Sequence, residues 1–205
     1  MGNSQSDKKG DAEFENYINS MSHVRKEHSD NLGRDIDLYR PENLEFEENL
    51  VLLIELSFDE SEHPGQDQNE VVRLFKQEVN LRKNLKCRHL TQLLFVSYKI
   101  MSGLCMEKLV CRLVLEYSEE NLFKVMNDRQ MFRSNMSVPE LPSETQFRNF
   151  LSCVVEGLFV LDQHNMQHGY VQPVNILVYN KSAQKPLYKL VDVSLLSKYK
   201  KFVKK

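Results

Sequence analysis

Apolar residues recur at helical spacing near the start of the chain, at Phe14, Tyr17, Ile18, Met21 and Val24. This spacing predicts a helix from about 12 to 29, with Asn31 and Gly33 as stop signals. Residues 1–11 before it are polar and read as disordered. "DIDLYR" (Asp35 to Arg40) alternates and "NLVLLIELSF" (Asn49 to Phe58) is a longer apolar run; both predict strands. "DESEHPGQDQ" (Asp59 to Gln68) has the composition of a loop. Glu70 to Asn84 is helical again, with Val71, Leu74, Phe75 and Glu78 on one face. Leu90 to Ile100 and Lys108 to Tyr117 predict two strands joined by a hairpin around Gly103. Asn121 to Asp128 predicts a short helix, and a polar loop with Pro139 and Pro142 follows. Ser143 and Gln146 form an S-x-x-Q capping box. After it Phe147, Phe150, Leu151, Val154, Val155, Leu158 and Phe159 make a continuous apolar stripe. Two short strands are expected at Asn175 to Tyr179 and Tyr188 to Val193. Strands with one helix, then helices, then a hairpin predict an α+β chain in two lobes.

Composition narrows the function classes. The chain has 205 residues, 41% of them hydrophobic, enough for one domain or a small two-lobed one. A net charge of −2 gives no nucleic-acid footprint. The basic tail "KYKKFVKK" (Lys198 to Lys205) reads as a solvated terminus, or else as a contact for a membrane or an acidic partner. Cys87, Cys105, Cys111 and Cys153 form no C-x-x-C pair and no His/Cys cluster, which argues against zinc. Reduced thiols, no secretory signal and a longest apolar run of only Leu50 to Ile54 suggest a cytoplasmic protein. "MGNSQS" fits the N-myristoylation pattern at Gly2, with Lys8 and Lys9 behind it; the alternative is a chance match. One acyl chain binds membranes only marginally, so stable membrane contact through Gly2 needs a second signal.

Five stretches, in order, resemble the eukaryotic protein kinase family over roughly residues 49 to 197. "FKQEVNLRKNLKCRHLTQLL" is similar to the αC helix running into the next strand, with Glu78 where the family has its αC glutamate. "LVLEYSEENLFKVM" is similar to the strand, hinge and helix that follow, with Leu115 at the gatekeeper position. "FRNFLSCVVEGLFVLDQHNMQH" resembles helix αE. "HGYVQPVNILV" (His168 to Val178) sits where the family has H-R-D-L-K-P-E-N-I-L, and "LVDVSLLSKY" sits where it has D-F-G. The fold so implied is protein-kinase-like: a small antiparallel-sheet N-lobe with its αC helix, and an incomplete helical C-lobe. The lobes would span 35–117 and 118–205, after a tail at 1–11 and an N-terminal helix at 12–34.

Phosphoryl transfer needs metal ions, a lysine on the phosphates, a glycine-rich cover and a carboxylate that orients the acceptor hydroxyl. By the resemblance, the carboxylate position holds Tyr170, whose phenol is a poor base at neutral pH. The preceding arginine is Gly169, and the loop lysine is Gln172. The strand lysine is replaced by Ile54, or by Glu55 if the alignment shifts by one, and no lysine lies between Arg40 and Lys76. No G-x-G-x-x-G precedes residue 54. Glu78 therefore lacks its usual partner and is expected on the helix surface or in a different salt bridge. Asn175 and Asp192 match metal-ligand positions and suit Mg²⁺ chemically; Asn175 can equally hold the loop through backbone hydrogen bonds. Val193 and Ser194 replace the Phe and Gly of D-F-G. Arg82 stands where the family has an apolar residue, so either the helix is rotated or Arg82 has an acidic partner. His168 is expected to bond to backbone near Asp192.

The chain stops at Lys205, shortly after the D-F-G position, so the αE stripe lacks the helices that cover it in the family. The expectation is that another protein chain, or the N-terminal helix, covers Phe147, Phe150, Leu151, Val154 and Leu158. Together these features predict a truncated, catalytically inactive, kinase-like binding or scaffold module that uses no cofactor. Two alternatives stay open: a residual ATP/Mg²⁺ binder or very weak kinase using Asn175 and Asp192, and a structural subunit of a larger assembly.

Overall fold

The computed structural model describes residues 4–29, 34–42, 49–58, 68–102, 107–131, 143–181, 183, 185–191 and 199. The chain is α+β and divides into two compact units. One unit comprises Met1–Leu85, Gln92–Glu116 and Leu195–Lys205; the other comprises Lys86–Thr91 and Tyr117–Ser194.

The first unit holds α1 (Ser4–Asn19), β1 (Met21–Ser29), β2 (Arg34–Pro41), β3 (Asn49–Phe58), α2 (Gln68–Asn84) and β4 (Leu93–Ser102). β5 (Glu107–Ser118) completes an antiparallel sheet of order β1-β2-β3-β5-β4. Side chains alternate across each strand, so the sheet offers two apolar faces. On one face Phe14 and Met21 pack with Val51 and Val114, while Tyr17 stacks on Phe95 at 5.0 Å. On the other face Phe58 meets Phe75 of α2 at 5.1 Å, and Phe75 meets Tyr199 at 4.9 Å. Phe75, Leu38, Leu50 and Leu56 are fully buried, each burial contributing about 1.5–3 kcal/mol.

Three expectations are corrected here. The helix predicted from about 12 to 29 is two elements: α1 ends at Asn19 and β1 follows, paired with β2 from Met21↔Pro41 to Ser29↔Arg34. The helical spacing of Phe14, Tyr17 and Ile18 is real, but its continuation into Met21 and Val24 is not. An irregularity between His23 and Arg25 sets Val24 out of the regular pairing, the signature of a bulge. Second, α1 already begins at Ser4, within the stretch expected to be disordered. Third, the basic tail is not wholly solvated, because Tyr199 is buried between Phe58 and Phe75. Gly2, Asn31, Gly33, Gly103, Cys105, Pro139, Pro142 and the segment Asp192 to Ser194 lie outside the described residues.

The second unit holds α3 (Leu122–Met131), α4 (Glu144–Gln163), a 3₁₀ turn (Pro173–Asn175) and the hairpin of β6 (Ile176–Tyr179) and β7 (Leu187–Leu190). Ser143 and Gln146 make the reciprocal capping box predicted for α4. The helix docks on β7 through Cys153, Gly157 and Leu161. Gly157 permits this close approach: a Cβ there would lie 3.0 Å from the His89 carbonyl oxygen and from Leu190.

Candidate functional site

The loop His168–Asn175 is held by its own hydrogen bonds. His168 is buried, and its Nε2 lies 2.7 Å from the Val191 carbonyl while its Nδ1 accepts from the Tyr170 backbone N–H at 3.3 Å. One ring nitrogen donates and the other accepts, which the neutral Nε2–H tautomer satisfies. Asn175 is also buried, and its Nδ2 donates to the Tyr170 carbonyl at 2.9 Å. The Asn175 backbone receives Val191 N–H at its carbonyl and donates to the Gln172 carbonyl, both at 2.9 Å. Pro173 opens the 3₁₀ turn, where its missing N–H costs nothing. Gly169 has φ +74°, and a Cβ there would meet nothing within 4 Å. The backbone conformation, not crowding, is therefore what favours glycine at this position.

Within this frame the residues at the positions that the resemblance assigns to catalysis are exposed. Tyr170 is 47% exposed and Gln172 is exposed. A phenol and an amide stand there, so these two positions supply no carboxylate, ammonium or guanidinium group. Asp192, the second metal-ligand position by resemblance, lies outside the described residues. Among the described residues, no group of three His, Cys, Asp or Glu side chains is placed to hold a metal.

In the first unit, Ile54 and Glu55 lie on opposite faces of the sheet. Ile54 is buried on the sheet face it shares, by alternation, with Phe58, and that face meets α2. Glu55 points to the other face, where it accepts from Arg112 Nε at 3.0 Å. Ile54 is thus the residue on the α2 side. On α2, Glu78 receives Arg82 Nη1 at 2.9 Å, one helical turn away, with Arg82 only 7% exposed. Arg82 has the acidic partner that its burial requires, and Glu78 is in a different salt bridge from the family's. Leu115 is half-buried opposite Leu93 at the irregular start of the β4–β5 pairing.

Sequence reasoning missed two long-range constellations. Arg112 joins Glu55 to Glu15 of α1, at 3.2 Å for the second contact, and lies over the Phe14 ring at 4.8 Å. His89 directs Nδ1 at the Tyr188 carbonyl (3.1 Å) and Nε2 at Glu156 of α4 (3.2 Å). These partners are far apart in sequence, so no local pattern marks them. Burial pushes the thiols of Cys111 and Cys153 up from their ordinary value, which keeps them protonated and inert as nucleophiles.

The expected αE stripe is split between two faces of α4. Phe150, Val154 and Leu158 are half-buried, while Phe147, Leu151, Val155 and Phe159 are 43–61% exposed. Within the first unit α1 packs on β4. Among the described residues, no helix is long and apolar enough to cross a membrane. The chain matches no protein-family model and no curated protein.

Proposed function

We propose that this chain is a kinase-like binding module without phosphoryl transfer, acting through protein contacts made by the exposed face of α4. The observation that carries this reading is Asn175. Its side-chain Nδ2 donates to the Tyr170 carbonyl and so holds a loop whose base position, by the resemblance, carries an exposed phenol. A loop kept in shape by buried hydrogen bonds, yet without its charged working groups, serves structure rather than turnover. The first unit supports the reading further. A buried Ile54 stands toward α2, and Glu78 is engaged by Arg82 rather than by a strand lysine. A five-stranded antiparallel sheet with one helix between β3 and β4 fits the small lobe that the sequence resembles.

The test is thermal unfolding of the full chain with and without ATP and Mg²⁺, paired with a γ-phosphate transfer assay on a generic acceptor protein. The reading expects no ATP-dependent rise in Tm and no transfer. An ATP-dependent stabilisation abolished by Asp192→Ala would instead establish a nucleotide binder.

A further inference from the structure

Helix α4 has a second apolar face beside the one that docks on β7. Phe147, Leu151, Val155 and Phe159 recur every four residues and stay exposed. On a helix of about 3.6 residues per turn such a ladder drifts by about 40° per step, so these four share one broad stripe. About Val155 the stripe is symmetric in apolar character and opposite in charge. Leu151 and Phe159 lie four residues either side of Val155, and Arg148 and Asp162 lie seven residues either side. A twofold axis through Val155 would set Val155 on Val155, Leu151 on Phe159 and Arg148 against Asp162. A parallel pairing would instead oppose arginine to arginine and aspartate to aspartate, which like-charge repulsion disfavours.

Resting on the reading of α4 as the binding face, we propose that a second copy of this chain covers it, as an antiparallel helix pair with its twofold axis at Val155. Such an interface is isologous, so one surface supplies both halves. Arg148 is available for it. Its present partner, Glu144, lies at 2.6 Å, but both side chains are about three-quarters exposed (77% and 76%), and an exposed i,i+4 pair is weak. Asp162 is exposed at the other end of the same stripe.

Sedimentation velocity on the purified full chain tests the pairing. The unmodified chain is expected to dimerise. Val155→Glu, which sets two carboxylates together on the axis, is expected to abolish dimerisation without loss of helical signal, since Val155 is 61% exposed. Arg148→Asp and Asp162→Arg are each expected to weaken self-association roughly tenfold, and the double exchange to restore it. Under mild oxidation the Val155→Cys chain is expected to cross-link to its own copy. The Arg148→Cys chain is not, because its two copies would lie about 21 Å apart along the pair. A chain that stays monomeric, or a dimer indifferent to Val155→Glu and to the charge exchange, would overturn the pairing. A monomer that neither binds nucleotide nor transfers phosphate would leave the binding-module reading standing. Transfer activity would sink that reading whatever the oligomeric state.

Discussion

Arg82 reaches back one turn along α2 and sets its guanidinium on Glu78 at 2.9 Å, with side-chain exposures of only 6% and 19%. The pair neutralises an arginine on a helix that packs against the sheet. It also occupies the carboxylate that the resemblance assigns to a strand lysine. A buried pair is costly to break from one side, because the remaining charge stays in a poorly solvated place.

Glu78→Gln is therefore expected to destabilise the fold by about 2 kcal/mol, because it strands the more deeply buried Arg82; Arg82→Met is expected to cost less, because the charge it leaves, on Glu78, is the better solvated of the two. Urea unfolding monitored by circular dichroism measures both. A loss larger for Arg82→Met than for Glu78→Gln would refute this account of the pair.

Placing at Ile54 the lysine that the resemblance implies is expected to cost stability and to bring no phosphate binding. Ile54 is 2% exposed, so Ile54→Lys places an ammonium in the core. The expected loss is about 3 kcal/mol or more, with no gain in ATP binding. Thermal unfolding with and without ATP and Mg²⁺ checks both halves of the statement.

Asn175→Ala removes the bond to the Tyr170 carbonyl and leaves that acceptor without this donor. A loss of about 1–2 kcal/mol is expected. Hydrogen exchange of the amides from Gly169 to Gln172 should speed up in the variant. Unchanged protection there would show that Asn175 does not hold the loop.

Gly157→Ala sets a gain against a clash. Alanine favours a helix over glycine by about 1 kcal/mol. Its Cβ would lie 3.0 Å from the His89 carbonyl oxygen, which also accepts from Leu190 N–H at 2.9 Å, so the backbone there is poorly free to move. Net destabilisation of about 1–2 kcal/mol is expected from a chemical melt.

Stability should fall in mild alkali. Burial raises the Cys111 thiol above its ordinary value of 9.0 and the Tyr98 phenol above 10.0. The folded chain therefore keeps protons that the unfolded chain releases as pH climbs through 9 and 10, and folding loses free energy there. Cys111→Val should flatten the pH dependence between 8 and 10, measured as Tm against pH; an unaltered slope would remove Cys111 as its source.

The sequence by itself determined the elements whose signals are local. Alternation marked β2, a long apolar run marked β3, and the Ser143–Gln146 box marked the start of α4 within one residue. The loop residues His168, Pro173 and Asn175 were legible because each acts on backbone within its own neighbourhood or on the adjoining hairpin. Tertiary structure decided what rests on distant partners. Met21 and Val24 extend the helical spacing in the sequence, yet Met21–Ser29 is a strand because Arg34–Pro41 pairs with its backbone on either side of the irregularity at Val24. Ile54 rather than Glu55 faces α2, because Arg112 draws the carboxylate to the opposite face. Gly157, not the most apolar residues of α4, marks where that helix docks, since only a missing side chain lets the backbone of His89 come so close. Hydrophobic spacing shows that a face can be buried; which face finds a partner depends on what the fold brings to it.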